Sequence, residues 1–464
     1  MVSRNRSAII VGAGLSGLSA AYKLHKSGFD ITVLECRNRH GGRVKTMRRD
    51  GFIIDAGPDA MTTGYVEYLE LARELGLGDN IVTSSPVIGL IRKGRVIDID
   101  PARAVAALFT PALSWAAKVK FAMGLFRIRK MLQGVGSFNL MQSADLDDNH
   151  ESAQQFSERH FGIEATNYVI DPLLRLATGN GARQCSRLSV LGALAGGSAA
   201  LVNVKGGLDS VTDALAKDLH VIYEAEVQSV AEAAHGGVNV RYQDGSGETH
   251  VLHADTAVLA ATYDVAERVY PELAKYAGDY AQRLNFVPLI SISLAFGHPT
   301  NSKSYAVLVP TVEQPDILLL FLQQNKSPDR VPAGCSLITL YTDPLAAPRL
   351  FALPEEELTL WARNEIERLY PELAGHFKFS TVSKWPVSGY IAEPGFWRRA
   401  RELRAALPLD TPVQLAGDVF GAGSMESAVK YGVRAAGYLI ARQKTFVPSR
   451  TTDNATKINR SEAV

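Results

Sequence analysis

The stretch SAIIVGAGLSG at residues 7–17 decides the fold of this chain. Residues 8–11 form a short apolar run, which predicts a strand buried on both faces, as in a parallel sheet. After the strand, Gly12 lets the chain turn tightly and Gly14 lets the backbone approach a pyrophosphate closely. Gly17 lets a new helix pack against the strand, so the stretch predicts a strand, a phosphate-binding turn and a helix.

A second strand ending in an acid follows this helix. Residues 30–35 read DITVLE, and Glu35 lies about 20 residues past the glycines, where a carboxylate accepts the hydroxyls of an adenosine ribose. Ala13 and Ser16 belong to the predicted phosphate-binding turn, where the helix N-terminus offers N–H donors. The order strand, glycines, helix, strand and acid predicts a Rossmann-like dinucleotide site in an α/β protein.

A second glycine pair indicates a further approach to the phosphates. Gly41 and Gly42 stand beside Arg43, which can supply charge-assisted hydrogen bonds to an anion. The segment DAGP comes soon after, and its Gly57 and Pro58 are predicted to contact the same cofactor.

The far end of the chain supplies a partner segment. Residues 413–418 predict a buried strand that ends at Gly417 and Asp418, and residues 421–426 lead into a helix. The acid can hold ribityl hydroxyls or approach the phosphates. If the dinucleotide is FAD, the N-terminus of this helix can face the edge of the flavin ring where negative charge accumulates on reduction. The predicted contacts at this helix start are Ser424, Met425 and Ala428.

These motifs together resemble the flavin amine oxidase superfamily, which includes monoamine oxidases, phytoene-type desaturases and protoporphyrinogen oxidase. The resemblance is carried by VGAGLSGLSAAYKL, ITVLE, GGR, DAGP and the late AGD…GSMESAVKYGVRAA. Residues 204–230 resemble the family segment that touches adenine, which implies a contact from Val227. The resemblance also implies non-covalent FAD. Covalent members use a cysteine shortly before the C-terminal acid, and no cysteine lies between 336 and 464.

Residues expected near the substrate help to distinguish amine oxidases from protoporphyrinogen oxidases within the family. Monoamine-oxidase-like members carry a lysine near the flavin N5, and the resemblance puts Ser291 in its place, within PLISISLAF at 288–296. This strand is similar to the corresponding one of protoporphyrinogen oxidases, and so is the later WP…Y element with Trp385 and Tyr390. Each aromatic either faces the substrate or packs in the core. Arg175 lies in an apolar segment, so it holds a substrate carboxylate or carbonyl, or forms a structural ion pair.

The predicted activity is that of an FAD-dependent oxidase or desaturase. Such an enzyme removes hydride from a C–H bond of a hydrophobic, cyclic substrate and passes the electrons to oxygen or another acceptor. Residues 423–428 depart from the pattern of porphyrinogen oxidases, which leaves another apolar ring compound open as the substrate. The alternatives are an amine oxidase without the usual lysine, and a binding protein that keeps the fold without chemistry.

Periodicity and motif positions predict a discontinuous architecture of the monoamine-oxidase (GR2) type. The FAD-binding domain has motifs near both ends and in the middle, while residues 285–345 alternate as strands of a mixed or antiparallel sheet do. The expected parts are an FAD-binding domain at 1–85, 204–270 and 411–445, a substrate domain at 86–98, 185–203 and 271–410, a helical insert at 99–184 and a disordered tail at 446–464.

The insert contains an apolar stretch at 104–126. It carries Lys118, Lys120 and a Pro111 in mid-run, so it is not predicted to span a membrane. We expect two helices there, either buried in the core or lying on a membrane surface. Helical periodicity covers 102–108, 114–131 and 153–161.

Bulk composition is that of an ordinary globular enzyme. The chain has 464 residues, 46% of them hydrophobic, and a net charge of +1 without a basic stripe, which excludes a nucleic-acid partner. The three cysteines, Cys36, Cys185 and Cys335, exclude a disulfide framework and a cysteine-rich metal site, and they fit a reducing cytoplasm. We therefore expect a cytoplasmic protein with no metal and no signal peptide, and leave membrane association and a homodimer open.

Overall fold

A five-stranded parallel sheet forms the centre of the structure, a computed structural model that describes residues 6–100, 110–197, 199–421 and 423–445. Every pairing in this sheet is parallel. The strands, in spatial order, are His220–Ile222, Phe29–Leu34, Arg6–Val11, Thr256–Leu259 and Val413–Leu415. Segments from both ends and the middle of the chain therefore share one sheet, which confirms the predicted α/β, Rossmann-like fold class.

Two long helices cover this sheet, Leu15–Lys26 and Met425–Thr445, and their backbones touch. A Cβ on Gly432 would overlap the carbonyl oxygen of Ser16, and a Cβ on Gly17 would overlap that of Gly12. The glycines thus fix the first helix against both its own strand and the C-terminal helix.

A seven-stranded mixed sheet forms the second layer. Its strands, in spatial order, are Phe377–Tyr390, Phe286–Phe296, Ser336–Thr342, Ile317–Leu322, Ala306–Leu308, Ile88–Arg92 and Arg95–Ile99. All neighbours are antiparallel except Ala306–Leu308 and Ile88–Arg92, which run parallel. One face packs on the helix Glu355–Leu369 through its buried side chains. The predicted mixed sheet is confirmed.

Three small sheets complete the strands. They are the antiparallel sheet Glu226–Glu232, Val238–Gln243 and Thr249–Ala254, the hairpin Thr46–Arg49 and Phe52–Asp55, and the sheet Met61–Thr62, Leu201–Val204 and Ile81–Thr83. The last sheet differs from the expected domain division, because it joins 201–203 to strands of the N-terminal segment rather than to the substrate sheet.

The helical part follows the predicted periodicity. Segments 114–131 and 153–161 appear as Trp115–Leu132 and Ala153–Phe161, while 102–108 and the tail 446–464 lie outside the described residues. Its other members are Leu140–Leu146, Ile163–Ala165, Thr166–Ile170, Asp171–Thr178 and Arg187–Ala195. Arg187–Ala195 belongs to the same hydrophobic core as Ala153–Phe161, so it packs with the insert rather than within the substrate sheet.

The remaining helices connect these layers. They are Val66–Glu74, Gly78–Asn80, Asp209–Ala216, Tyr263–Val269, Pro271–Leu273, Ala274–Ala277, Ala281–Arg283, Gln323–Asn325, Ala347–Phe351, Pro371–Leu373, Phe396–Ala406 and Asp418–Phe420. Among the helices of the described ranges, none has the length and apolar character needed to cross a bilayer.

Candidate cofactor and active site

The first glycine turn brings a buried carboxylate against the start of the first helix. Gly12 has φ +101°, a value that L side chains rarely adopt, and its N–H donates to Leu34 O at 2.8 Å. The Glu35 side chain accepts from Ala13 N–H at 2.8 Å and from Arg37 N–H at 3.0 Å. Glu35 is only 5% exposed. The two backbone amides therefore fix the carboxylate at the end of the second strand.

The second glycine pair lies directly against the first turn. Gly41 N–H donates to Ala13 O at 2.8 Å, and Gly14 and Gly41 form a parallel bridge. A Cβ on Gly42 would lie 3.0 Å from Gly14 Cα, closer than real Cβ contacts normally are. Two turns that are 27 or more residues apart in sequence thus meet backbone to backbone, with no room for a side chain between them.

Val227 comes to the same edge of the sheet. Glu35 N–H donates to Ile222 O and Ala225 N–H donates to Glu35 O, both at 2.9 Å. Val227, 9% exposed, lies two residues further on in the strand Glu226–Glu232. The segment that the resemblance assigns to adenine is therefore held beside the acid assigned to the ribose.

An ion pair joins the N-terminal turn to the C-terminal segment. Arg43 Nη2 donates to Asp418 Oδ1 at 2.8 Å, and Arg43 Nη1 donates to Ser388 O at 3.0 Å. The negative charge of Asp418 raises the pKa of Arg43, against the opposing effect of burial. Asp418 follows Gly417, which has φ +116°, so a tight turn presents the acid to the arginine. Three distant segments meet at this guanidinium.

Tyr390 contacts the turn around Asp418 from the protein core. Its hydroxyl contacts the carbonyl oxygens of Asp418, at 2.7 Å, and Gly421, and it accepts from Gly423 N–H at 3.1 Å. Burial, reinforced by the charge of Asp418, raises the pKa of Tyr390 well above its ordinary value, so the phenol stays protonated. Its ring stacks on Phe396 at 5.0 Å. Tyr390 thus acts as a core residue that holds the turn.

The C-terminal helix begins where the sequence predicts. Ser424 Oγ accepts from Ser427 N–H at 3.2 Å, and Ala428 N–H donates to Ser424 O at 3.0 Å. Met425 is 5% exposed. Glu426, which the sequence analysis did not single out, accepts from two backbone amides at the start of Val66–Glu74. This helix start is therefore anchored on the N-terminal segment.

The DAGP segment is clamped from the substrate sheet. Ser291 Oγ donates to Ala56 O at 2.6 Å, and Trp385 Nε1 donates to the same oxygen at 2.8 Å. Tyr341 Oη donates to Gly57 O at 2.9 Å. A Cβ on Gly57 would overlap Arg43 O, so a side chain does not fit there, and Pro58 is half-buried in the same loop. The sheet thereby fixes a loop of the predicted cofactor site.

A buried ionic cluster, missed by the sequence analysis, anchors both ends of that loop. Lys326 Nζ lies 2.7 Å from Asp55 Oδ2 and also contacts Asp59, and Arg330 Nη1 lies 3.0 Å from Asp55 Oδ2. All four side chains are at most 1% exposed. Burial favours the neutral acid, but the two cations outweigh it and lower the pKa of Asp55 to about 2. Asp55 and Asp59 are four residues apart, as are Lys326 and Arg330, but this spacing does not indicate that the two pairs meet.

Residues 15–440 match the family model described as flavin containing amine oxidoreductase. The chain belongs to this family. As a member it is an FAD-dependent oxidoreductase.

Named relatives of this flavin amine oxidoreductase include two porphyrinogen oxidases. Protoporphyrinogen oxidase 2, chloroplastic/mitochondrial, of Arabidopsis thaliana is 26% identical over 79% of this chain and 80% of that protein. Coproporphyrinogen III oxidase of Bacillus subtilis is 21% identical over 88% of this chain and 92% of that protein. The solved structure of putrescine oxidase bound to putrescine has a TM-score of 0.76 at 20% identity, covering 94% and 99% of the two chains. That likeness confirms the fold.

The residues at the glycine turns fit an FAD of this family. Ser16 Oγ is buried and has no hydrogen-bond partner among the described residues, so it is a donor available to a phosphate oxygen. The bare backbones of Gly14 and Gly42 lie beside it in the same pair of turns.

Cys185 lies in the core of the helical part, away from these turns. Burial raises the pKa of its thiol to about 12, so this thiol stays protonated.

Arg175 stands apart from these residues. Its guanidinium, 0% exposed, lies 2.7 Å from Asp343 Oδ2 and donates to Thr311 Oγ1 at 2.6 Å and Ile317 O at 2.8 Å. Of the two interpretations offered by the sequence, the geometry favours the structural ion pair over a substrate contact. The apolar neighbours indicated burial, but an acid 168 residues away could not be read from them.

Proposed function

We propose that this enzyme oxidises a porphyrinogen, removing hydride from a C–H bond of a hydrophobic macrocycle. The residue that supports this assignment is Ser291, which the family resemblance puts where monoamine-oxidase-like members usually carry a lysine. Its hydroxyl is committed to Ala56 O at 2.6 Å, and the residue is 2% exposed. The porphyrinogen oxidases of Arabidopsis thaliana and Bacillus subtilis, whose matches cover 79% and 88% of this chain, support the same branch.

The cofactor contacts follow from the geometry of the turns. We propose that Glu35 holds the adenosine ribose, that Ser16 and the amides of the glycine turns hold the phosphates, and that Asp418 holds the ribityl end. An FAD held by these residues would supply the hydride acceptor for oxidation of a C–H bond, with oxygen or another compound as the final electron acceptor. Arg43 neutralises Asp418 and ties it to the strand Phe377–Tyr390.

The substrate side is apolar. The face of the seven-stranded sheet opposite its helices carries a buried cluster that includes Leu318, Phe321 and Tyr341. Hydroxyls from this cluster reach the clamped loop: Tyr305 donates to Asp59 O and Tyr341 to Gly57 O, both at 2.9 Å. We propose that this face excludes water and that its shape places the reacting carbon, since hydride transfer needs position more than acid–base help.

Anaerobic flavin bleaching tests this function. The holoenzyme is mixed without oxygen with protoporphyrinogen, with coproporphyrinogen and with primary and secondary amines, and the loss of oxidised-flavin absorbance is followed. We expect bleaching by a porphyrinogen and none by the amines. Porphyrin fluorescence should appear only after oxygen is admitted, because full oxidation of the macrocycle removes more electrons than one flavin accepts. Excluding oxygen removes spontaneous oxidation of the porphyrinogens.

A reversed pattern would contradict the proposal. Bleaching by an amine with release of ammonia, and none by either porphyrinogen, would make the chain an amine oxidase that works without the lysine. Bleaching by neither class would remove porphyrinogens from consideration and leave another apolar ring compound as the substrate.

A further inference from the structure

The hairpin that joins the strands Val238–Gln243 and Thr249–Ala254 brings three possible metal ligands together at its turn. Asp244, Glu248 and His250 each offer one ligand atom, and these three atoms lie within 4.8 Å of one another. Across the ranges that the structure describes, no other group of three His, Cys, Asp or Glu side chains meets this spacing. All three residues lie within seven positions of the chain, so the hairpin alone determines their arrangement.

The turn holds the Asp244 carboxylate in a fixed position. Its Oδ1 accepts from Ser246 N–H at 2.9 Å, from Ser246 Oγ at 2.6 Å and from Glu248 N–H at 3.0 Å. The backbone closes the turn as well, because Gly247 N–H donates to Asp244 O and Asp244 N–H donates to Glu248 O. Hydrogen bonds of this kind orient the ligands of natural metal sites and leave Oδ2 free to bind an ion.

The second oxygen of Asp244 already meets the imidazole. His250 Nε2 lies 2.8 Å from Asp244 Oδ2. In a tetrahedral zinc site with bonds of about 2.0–2.1 Å, two ligand atoms lie about 3.3 Å apart. The pair therefore needs to separate by only about half an ångström to admit an ion in place of the proton in this hydrogen bond. Glu248 is exposed, so its carboxylate can complete the set from the solvent side.

The neighbouring strand fixes the His250 ring. The ring stacks on Tyr242, with centroids 5.1 Å apart and planes inclined by 25°, and Tyr242 is only 7% exposed. In the sheet, Tyr242 pairs with His250 on one side and with Val227 on the other. The turn is thus one strand away from the segment that the family resemblance assigns to adenine.

Charge and access both suit a divalent cation. Among the described residues, His250 is the only ion-pair partner of Asp244. Two carboxylates beside a neutral imidazole leave two negative charges at the turn, which attract a dication. The His250 and Asp244 side chains are 34% and 29% exposed, so an ion reaches them directly from solvent.

We propose that Asp244, Glu248 and His250 bind a zinc ion, with water in the fourth position. Imidazole nitrogen and carboxylate oxygen are ordinary zinc ligands, and three protein ligands with one water make a tetrahedral set. The site needs no cysteine, so the cysteine count that argues against a cysteine-rich metal site does not exclude it. The ion fixes the hairpin turn beside the strand of Val227. This binding goes beyond the proposed oxidation and does not depend on its substrate.

Metal titration of the FAD-loaded enzyme tests the site. The enzyme carries no histidine tag, is freed of metal with a chelator and is titrated with zinc chloride by calorimetry. We expect one zinc ion per chain. His250→Ala and Asp244→Asn should each weaken binding about tenfold or more, because each removes a ligand. Asparagine keeps an oxygen for the bonds from Ser246 and Glu248, so the turn survives this change.

A neighbouring histidine supplies the matched control. His253 lies on the same strand as His250, is exposed and contacts Asn239 instead of the turn. His253→Ala should therefore bind zinc as the wild type does. Cobalt(II) gives a second readout, because tetrahedral coordination produces visible bands at longer wavelengths than the flavin absorbs. These bands should form in the wild type and in His253→Ala, and they should be absent in His250→Ala.

Three results would overturn the zinc site. They are the absence of zinc binding, equal affinity in His250→Ala and the wild type, and the same loss of affinity in His253→Ala as in His250→Ala. The last result would mean that exposed histidines bind the ion without a defined site. Failure of the porphyrinogen assay would leave each of these results unchanged, so the two proposals are tested separately.

Discussion

The Ser291 hydroxyl and the Trp385 indole meet at one acceptor, the carbonyl oxygen of Ala56, at 2.6 and 2.8 Å. The two donors lie on neighbouring antiparallel strands, Phe286–Phe296 and Phe377–Tyr390. A carbonyl oxygen has two lone pairs, so both bonds can form at once. The substrate sheet thereby fixes the loop that follows Asp55 from two directions.

Removing both donors should cost more than the sum of the single changes. Ser291→Ala or Trp385→Phe leaves Ala56 O with one partner, whereas the double variant leaves a buried carbonyl without either, at about 1–3 kcal/mol. Denaturant unfolding of the three holoenzyme variants measures the coupling. Trp397→Phe is the control in the Ser291→Ala background, because the Trp397 N–H has no partner among the described residues. Each pair of changes forms a double-mutant cycle. If the changes in the free energy of unfolding add in both cycles, the shared acceptor does not couple Ser291 and Trp385.

Glu35→Gln should weaken FAD binding about tenfold. The amide can still accept from the Ala13 N–H, but it loses the charge-assisted bonds that a carboxylate makes to ribose hydroxyls. Titration of the apoenzyme with FAD, followed by flavin fluorescence, gives the dissociation constant. Asp30→Asn, on the same strand but exposed, controls for the change in net charge. Equal dissociation constants for the two variants would remove Glu35 from the site.

Arg43 and Asp418 should behave as one unit. Arg43→Met leaves the Asp418 side chain, 13% exposed, without its cation, and should speed FAD release and lower the free energy of unfolding. Adding Asp418→Asn removes the stranded charge, so the double variant should be about 1–3 kcal/mol more stable than the two single losses predict. Arg43→Lys should restore little of the lost stability and FAD retention. The guanidinium bonds Asp418 and Ser388 through two separate nitrogens, which a single ammonium group cannot do in the same geometry. Rescue by lysine to wild-type level would contradict this geometry.

Acid should destabilise the protein partly through Asp55. Its pKa is lowered from 3.8 to about 2 in the folded state, so the unfolded chain binds more protons between these values. The stabilisation, on the order of 2 kcal/mol, is complete above about pH 5 and is lost progressively as the pH falls through the unfolded and then the folded pKa, towards about pH 1. In Asp55→Asn the free energy of unfolding should be lower at neutral pH and should fall less steeply over this interval. An unchanged slope in denaturant unfolding against pH would show that Asp55 titrates normally.

Local patterns predicted the parts of the site that local structure builds. The strand, turn and helix around Gly12 could be read from sequence because their geometry depends on neighbouring residues, and the strand Arg6–Val11 lies where it was expected. The clamp on Ala56 and the Asp55–Lys326 pair were not predictable in this way. Their partners lie 235 to 329 residues away in the sequence, and the residues next to each side chain in the sequence do not indicate which distant residue it contacts.

The domain division illustrates the same limit. The sequence analysis assigned 201–203 to the substrate domain, but their pairing with Met61–Thr62 and Ile81–Thr83 depends on how distant segments are brought together. The same holds for the pair of Arg175 with Asp343, which directly follows the strand Ser336–Thr342, whereas the second acid, Asp171, is on the helix of Arg175 itself.

The contact between Ser16 and Gly432 sets an order of events during translation. A ribosome releases the first strand and helix well before the helix that packs on them, because 416 residues separate Ser16 from Gly432. Until that helix emerges, the glycine turns lack their C-terminal neighbour, and the nascent chain exposes an incomplete nucleotide cradle. We therefore expect stable flavin uptake only after the helix Met425–Thr445 has been synthesised.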